Sequence, residues 1–203
     1  MPELALALWA AFGLIAIVGR ALLHRRRTGA SGVHGIGDAS RAVEWAGGAL
    51  FVGGIALAVA GPALELADEV ESIGGLDRTG VRIAGLVLFG LGLALTVLAQ
   101  AAMGASWRIG VDPSERTGLV TDGLFGIVRN PIYSGMIPAI AGLAILSPTV
   151  LSLAGVLSVA VGIEIQVRAV EEPHLLRSHG DAYAAYAARV GRFVPGLGKL
   201  SRS

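Results

Sequence analysis

The sequence predicts an all-α, polytopic membrane helix bundle with about five transmembrane helices. Three observations lead to this fold class. The 203 residues are 54% hydrophobic and only 15% charged, whereas about 25% of the residues in a soluble domain are charged. The apolar residues form long blocks, as in helices surrounded by lipid. The 30 glycines fit a membrane bundle, where small residues let helix backbones approach closely.

The composition also argues against several function classes. The net charge of +1 creates no field that would recruit nucleic acid. The chain has no cysteine, which excludes disulfides, thiolate metal sites and cysteine nucleophiles. His174 and His179 are five residues apart, a poor spacing for two ligands on one helix. We therefore expect neither a metal nor a nucleic-acid partner. The sequence also lacks a GxSxG motif, a P-loop and a Rossmann fingerprint.

Three apolar blocks in the first half are each long enough to cross a bilayer, which takes roughly 20 residues. They run from about Leu4 to Leu23, from Ala42 to Leu66 and from Val81 to Met103. Basic residues follow the first block, the reverse of the order in a signal peptide, so we expect this helix to be retained. Residues 1–103 thus hold three transmembrane helices, and residues 104–203 are the predicted cofactor-binding and catalytic region.

The apolar stretch at residues 132–167 predicts a transmembrane hairpin. A single helix of this length would measure about 54 Å, far more than a hydrocarbon core of roughly 30 Å. Ser147-Pro148 lies near its middle, and proline removes a backbone donor and disfavours helix in the preceding residue. We expect two short helical arms joined by a tight turn at this dipeptide, followed by a C-terminal helical segment outside the membrane.

The distribution of charge predicts the orientation. With five spans, three basic segments share one membrane face, and the acidic loop between the second and third helices lies on the other. The basic segments contain Arg25, Arg26, Arg27 and Arg41; Arg108, Arg116 and Arg129; and Arg168, Arg177, Arg189, Arg192, Lys199 and Arg202. This bias places the C-terminus and the active site in the cytoplasm and the N-terminus outside.

A first polar cluster begins at the end of the third helix. Gln100 fits either an interhelical hydrogen bond or a place in a pocket, and Trp107 taken alone fits an interfacial anchor. Asn130 and Pro131 open the fourth helix. Pro131 suits the first turn, and the Asn130 side chain is positioned to cap the first free amides. Free amides at a helix N-terminus also favour an anionic ligand group.

A second polar cluster ends the fifth helix. At 100° per residue, Glu164, Arg168 and Glu171 fall on one helix face. Glu164 follows a nearly all-apolar run, so it lies close to the hydrocarbon boundary, where ionisable side chains usually face a partner or a wet cavity. The alternative is a Glu164–Arg168 pair that only anchors the end of the helix.

The order of these motifs resembles the isoprenylcysteine carboxyl methyltransferases and the related phospholipid methyltransferases. The resemblance covers residues 100–195, about half of the chain, and the family usually has histidine at the position of Asn130. The motifs, in order, are Gly118-Leu-Val, Gly123-Leu-Phe-x-x-Val-Arg-Asn-Pro-x-Tyr-x-Gly135, the hydrophobic hairpin, Glu171-Glu172, Gly180-x-x-Tyr-x-x-Tyr186 and Arg192-Phe-x-Pro195.

The resemblance implies an integral membrane methyltransferase that uses S-adenosylmethionine. It implies a lipid-embedded or prenylated acceptor, with a carboxylate as the reacting group. The residues it assigns to the cofactor are Leu119 and Val120 beside the adenosine, Asn130, Pro131 and Tyr133 at the helix mouth, and Glu171 or Glu172 at the ammonium or ribose. Those it assigns to the anionic acceptor are Arg129 and Arg168 as catalytic positive groups, with Gln100, Trp107 and Glu164 on the substrate side.

Two other functions remain open at this stage. Membrane sterol reductases resemble the same family in their C-terminal part and use NADPH, whose 2′-phosphate would need basic residues such as Arg189 and Arg192. A non-catalytic membrane protein could also keep this scaffold. The chemistry of S-adenosylmethionine is compatible with the polar clusters, because carboxylates can hold its cationic groups, and an arginine or a helix N-terminus can hold its carboxylate.

Overall fold

The computed structural model describes residues 1–29, 42–76, 78–104 and 118–201, without the side chain of Arg27. The prediction of an all-α fold is confirmed. The α-helices are α1 (Pro2–Gly13), α2 (Arg20–Thr28), α3 (Ala42–Leu66), α4 (Thr79–Met103), α5 (Pro131–Leu146), α6 (Val150–Gln166) and α7 (Glu172–Arg189). Two π-helical turns, Leu14–Gly19 and Val167–Glu171, and a 3₁₀ turn, Gly123–Gly126, complete the helical elements. Within the described ranges the only β-type pairing is an isolated bridge between Val128 and Gly191.

The prediction of a polytopic helical membrane bundle is confirmed. Among the described residues, four helices are long and apolar enough to cross a membrane, and the predicted fourth span corresponds to α5, an apolar helix shorter than these. Helix α5 has 16 residues, or about 24 Å. The first span is longer than expected, because the π turn joins α1 and α2 into a continuous helix that ends at Thr28 rather than at Leu23.

Pairs of antiparallel helices pack through glycines spaced seven residues apart. Helix α3 lies against α6, and a Cβ atom built on Gly54 would be 2.7 Å from the backbone nitrogen of Val159. Helix α4 lies against α5, and a Cβ atom on Gly92 would be 2.5 Å from the backbone nitrogen of Ala139. Such distances leave no room for a side chain, so these glycines allow the close backbone approach that the composition predicted.

The turn predicted at Ser147-Pro148 is confirmed. Helix α5 ends at Leu146 and α6 begins at Val150. The Thr149 side chain caps α6 by accepting a hydrogen bond from the backbone nitrogen of Ser152 at 3.0 Å. The Ser147 hydroxyl donates to the Glu65 carboxylate at the end of α3. Folding at this turn brings the start of α5 and the end of α6 to the same membrane surface, which we call the site face.

The N-terminal helix reaches the site face beside the end of α4. The Gln100 side-chain amide donates to the Ala16 carbonyl at 2.8 Å, and Arg20 donates to the Gly104 carbonyl at 2.6 Å. Ala16 lies in the π turn, where the regular ladder of α-helical hydrogen bonds is interrupted. The ends of α2 and α4 therefore share the face on which α5 begins.

The fifth span continues beyond the membrane. Helix α6, the π turn and the first part of α7 follow one another from residue 150 to residue 179, about 45 Å at the helical rise, and a kink at Gly180 (φ 51°, ψ −128°) divides α7. The end of this run therefore extends past a hydrocarbon core of roughly 30 Å. Glu164 and Arg168 share one helix face as predicted, because their side chains are in contact. Glu171 follows in the π turn at Val167–Glu171, which interrupts the 3.6-residue repeat.

Candidate active site

The C-terminal tail lies against the segment that leads into α5. The backbone nitrogen of Arg129 donates to the Gly191 carbonyl at 2.8 Å, and that of Asn130 donates to the Arg192 carbonyl at 3.0 Å. Further along the tail, the backbone nitrogen of Leu200 returns to the Ala187 carbonyl at 3.0 Å. The mouth of α5 and the chain after α7 thus form one structural unit on the site face.

Arg129 lies inside this unit. Its side chain is 1% exposed, and its guanidinium donates to the Glu172 carboxylate at 2.6 Å. It also donates to the carbonyls of Ala187, Val190 and Gly198 at 3.0, 2.5 and 3.0 Å. These contacts connect α5, α7 and the tail. The predicted role of Arg129 as a group that meets an anionic acceptor would require one of these contacts to be given up.

Glu172 is held by two arginines. Arg192 binds it in a bidentate manner, with Nε 2.8 Å from Oε1 and Nη2 2.9 Å from Oε2, while Arg129 approaches Oε1. The hydrogen bond to Glu172 raises the pKa of the Arg192 guanidinium above its ordinary value. All three side chains are at most 8% exposed. We call Arg129, Glu172 and Arg192 the buried triad.

The pair formed by Tyr133 and Glu171 differs from the buried triad in its access to solvent. The Tyr133 hydroxyl donates to Glu171 Oε1 at 2.7 Å, which joins the first turn of α5 to the π turn after α6. Both residues are only partly buried. Of the two neighbouring glutamates predicted to meet a cofactor, Glu171 is therefore the accessible one, while Glu172 is enclosed between arginines.

Asn130 occupies the N-cap position of α5, but the prediction that its side chain caps the helix is wrong. The structure has no side-chain cap at this helix, because the Asn130 amide instead donates to the Arg192 carbonyl at 3.2 Å. Ser134 strengthens the same contact by donating to the Phe193 carbonyl at 2.7 Å. Pro131 lies in the first turn as predicted. Among the residues that the structure describes, no side chain caps the first amides of α5.

An apolar wall lies beside the helix mouth. Leu119, which is partly buried, packs against Tyr183 and Tyr186 of α7, and Val120 next to it is also partly buried. The Tyr186 hydroxyl donates to the Phe125 carbonyl at 2.6 Å, which fixes the 3₁₀ turn against α7. Leu119, one of the two residues predicted to lie beside an adenosine, is therefore placed next to aromatic side chains.

Glu164 and Arg168 form the ion pair that the alternative interpretation anticipated. Arg168 Nε contacts Glu164 Oε1 one helical turn away. The Arg168 side chain is 60% exposed and the Glu164 side chain is 38% exposed. Glu164 Oε1 also lies 3.7 Å from Nη1 of Arg192. Charges of alternating sign therefore run from the exposed Arg168 through Glu164 into the buried triad.

The remaining predicted residues lie apart from this cluster or outside the described residues. Gln100 is 6% exposed and makes the interhelical hydrogen bond to Ala16, one of its two expected roles. Trp107 lies outside the described ranges. Arg192 was absent from the predicted methyltransferase site, although the Arg192-Phe-x-Pro195 motif marked its position. The sequence signal for Arg192 was this motif, which follows a polar helix that had no other assigned role.

Comparison with known proteins identifies a family for this chain. A family model described as phospholipid methyltransferase matches residues 81–182, half of the chain. The match begins in α4, includes the hairpin and both glutamates of the site, and ends in α7 before Tyr183. A search of curated proteins gives no significant match. The helices that could cross a membrane and the family match together make this an integral membrane protein of the methyltransferase type. The chain belongs to the phospholipid methyltransferase family.

Proposed function

We propose that this protein transfers a methyl group from S-adenosylmethionine to a lipid-like acceptor whose reacting group is a carboxylate. The observation that carries the proposal is the 2.7 Å hydrogen bond from Tyr133 to Glu171. It places an accessible carboxylate at the mouth of α5, within the residues that match the family model. The charge distribution described above supports a cytoplasmic location for this face.

The described residues suit S-adenosylmethionine in three respects. Glu171 offers a carboxylate for the cationic groups of the cofactor. The N-terminus of α5, which has no side-chain cap, offers backbone amides and the positive end of a helix dipole for its carboxylate. Leu119, packed on the tyrosines of α7, offers an apolar surface for the adenine. Together these residues provide a carboxylate, backbone amides and an apolar surface, which match the cationic groups, the carboxylate and the adenine of the cofactor.

Methyl transfer to a carboxylate requires the protein mainly to position the two reactants. When bound, S-adenosylmethionine supplies an electrophilic methyl group. An acceptor carboxylate is already ionised at neutral pH, so no side chain has to remove a proton from it. The residues must align the acceptor and exclude water. We assign alignment of the cofactor to Glu171, held in place by Tyr133, and attraction of the acceptor anion to Arg168, which is 60% exposed.

We assign the buried triad a positioning role. Arg129 has no exposed surface with which to meet a substrate, yet its contacts fix the tail against α5 and α7. Arg192, one of the two arginines that the reductase hypothesis offers to a 2′-phosphate, is similarly occupied by Glu172. That hypothesis is left with the exposed Arg189, so the described geometry favours methyl transfer over NADPH binding.

Methyl-labelled S-adenosylmethionine tests the proposal directly. Purified protein is incubated with it in vesicles made from the lipid extract of bacterial membranes, and the lipids are then extracted. We expect label in the lipid fraction that mild alkali releases as methanol, because methyl esters are base-labile. Glu171→Gln should abolish the labelling. Label that resists alkali would contradict a carboxylate acceptor, and binding of NADPH instead of S-adenosylmethionine would overturn the proposed function.

A further inference from the structure

Two buried side chains join the N-terminal helical span to the end of α4. The Gln100 amide donates to the Ala16 carbonyl at 2.8 Å, and the Arg20 guanidinium donates to the Gly104 carbonyl at 2.6 Å. Gln100 is 6% exposed and Arg20 is 5% exposed. We call these two contacts the α4 brace.

Both contacts lie where the regular ladder of α-helical hydrogen bonds ends or changes. Gly104 is the C-cap of α4, with φ 55° and ψ −124°. The last carbonyls of a helix have no intrahelical partner, and a cation beside them stabilises the negative end of the helix dipole. Ala16 lies in the π turn Leu14–Gly19, and such turns occur frequently at functional sites. Arg20 lies within the first membrane span, where an ionisable side chain is costly and usually serves a function.

The braced end of α4 lies beside the mouth of α5. The two helices are antiparallel, and a Cβ atom on Gly135 would be 2.7 Å from the backbone nitrogen of Thr96. Gln100 comes four residues after Thr96 in α4. Pro131, the first residue of α5, comes four residues before Gly135. Gln100 therefore lies at the level of Pro131, where the first amides of α5 are offered to the carboxylate of the cofactor.

Helix α4 also supports the apolar wall of the proposed site. The 3₁₀ turn Gly123–Gly126 packs against α4, and the Phe125 carbonyl in that turn accepts a hydrogen bond from Tyr186. Leu119 packs against the cluster that contains Tyr186. A shift of the end of α4 would therefore disturb both the N-terminus of α5 and the surface assigned to the adenine.

We propose that the N-terminal helix positions the cofactor site through the α4 brace, with Arg20 and Gln100 as positioning residues for S-adenosylmethionine binding. The inference rests on the proposed function, because it takes the cofactor to lie at the mouth of α5. Ala16 and Arg20 lie outside residues 81–182, which match the family model, so the match gives them no role. Gln100 acts through α4 rather than by contact with the substrate.

Two substitutions break the α4 brace, and a third provides a matched control. Arg20→Gln removes the charge at the end of α4, and Gln100→Leu removes the donor to the π turn. Ser158→Ala removes a bond of the same kind, in which the Ser158 hydroxyl, near the middle of α6, donates to the Leu50 carbonyl of α3 at 2.8 Å. Because Ser158 lies away from the site face, it separates loss of the brace from a general loss of interhelical bonding.

A nitroxide label on α4 tests the brace without any cofactor. The chain has no cysteine, so Ala101→Cys, at an exposed position of α4, takes a single label. Electron paramagnetic resonance spectra of the full chain in detergent report the mobility of this label. We expect greater mobility when Arg20→Gln or Gln100→Leu is added, and no change when Ser158→Ala is added.

Calorimetry of S-adenosylmethionine binding tests the consequence for the site. We expect the Kd to rise about fivefold in Arg20→Gln and severalfold in Gln100→Leu, and to be unchanged in Ser158→Ala. Arg20→Lys keeps a charged donor and should bind within about twofold of the wild type. Thermal melting shows which variants are folded, and Gln100→Leu decides the question if Arg20→Gln does not fold.

Several results would overturn this assignment. Unchanged label mobility in both brace variants would show that the N-terminal helix does not hold α4. Greater mobility with an unchanged Kd, or an equal rise of Kd in Ser158→Ala, would show that the brace does not position the cofactor. Binding as weak in Arg20→Lys as in Arg20→Gln would contradict the role of the charge. Failure of the wild type to bind S-adenosylmethionine would instead count against the proposed function, while label mobility would still test the brace.

Discussion

Arg192 and Glu172 are joined by two parallel hydrogen bonds, Nε to Oε1 at 2.8 Å and Nη2 to Oε2 at 2.9 Å. This ion pair connects the tail to the start of α7. The hydrogen bond from Arg129 to Glu172 links both of them to the N-terminus of α5. Buried charges are tolerated when each has such partners, and removing one partner leaves the others uncompensated. Glu172 lies between two arginines, so the loss of its charge affects both.

Glu172→Gln should therefore destabilise the protein. Two buried guanidinium groups would lose their counter-charge, at a cost of about 3–5 kcal/mol, which corresponds to a fall in Tm on the order of 10 °C for a chain of this size. Thermal melting of the protein in detergent, followed by circular dichroism, measures this. The matched control is Glu171→Gln, which removes the neighbouring, partly exposed carboxylate and should leave Tm nearly unchanged. A similar loss of Tm in both variants would contradict the separate roles of the two glutamates.

Tyr133→Phe should weaken S-adenosylmethionine binding while the protein remains folded. The variant keeps the ring and removes only the hydroxyl that donates to Glu171. A hydrogen bond to a charged group contributes about 1.5–3 kcal/mol, so we expect the Kd to rise by at least about tenfold. Calorimetry on the purified variant measures the change. An unchanged Kd would show that the position of Glu171 does not depend on Tyr133.

Gly92→Leu should prevent assembly of the bundle. Any Cβ atom at Gly92 would lie 2.5 Å from the backbone nitrogen of Ala139 and 2.6 Å from the Gly135 carbonyl, so α4 and α5 would have to separate. Gly90→Leu, two residues away and facing open space, is the control. We expect monodisperse protein in size-exclusion chromatography for Gly90→Leu and aggregated or absent protein for Gly92→Leu. Equal behaviour would argue against close packing at this contact.

A reporter fused after Ser203 should be active in the cytoplasm. The prediction follows from the basic residues that gather on the loops and tail of the site face. A reporter inserted at Gly74, in the acidic loop between α3 and α4, should be active on the opposite side of the membrane. Alkaline phosphatase and green fluorescent protein fusions at the two positions distinguish the sides. Cytoplasmic activity at Gly74 would reverse the orientation.

The sequence predicted the membrane spans well, because the length and apolarity of a block decide them locally. Helix α3 has the predicted bounds, and the turn at Pro148 follows from the length of the apolar stretch. The prediction of a side-chain cap at Asn130 was wrong because the Asn130 amide donates instead to the Arg192 carbonyl in the distant tail. Spacing along a helix cannot reveal a partner that is 62 residues away.

The geometry of the site was predictable only in part. The motifs identified Arg129, Tyr133 and the glutamate pair, yet gave no sign that Glu172 would be enclosed and Glu171 accessible. Glu171 is the last residue of the π turn and Glu172 the first of α7, and the π turn interrupts the 3.6-residue repeat from which a helix face is inferred. The apolar side chains around it are compatible with either helix type, so hydropathy does not distinguish them.

Binding of S-adenosylmethionine tests the central claim most directly. Calorimetry is performed on the wild-type protein, on Glu171→Ala and on Glu69→Ala, whose carboxylate lies beyond the end of α3 on the opposite face. We expect binding to the wild type, binding at least about tenfold weaker in Glu171→Ala and unchanged binding in Glu69→Ala. The absence of binding to folded wild-type protein, or an equal effect of both substitutions, would contradict it.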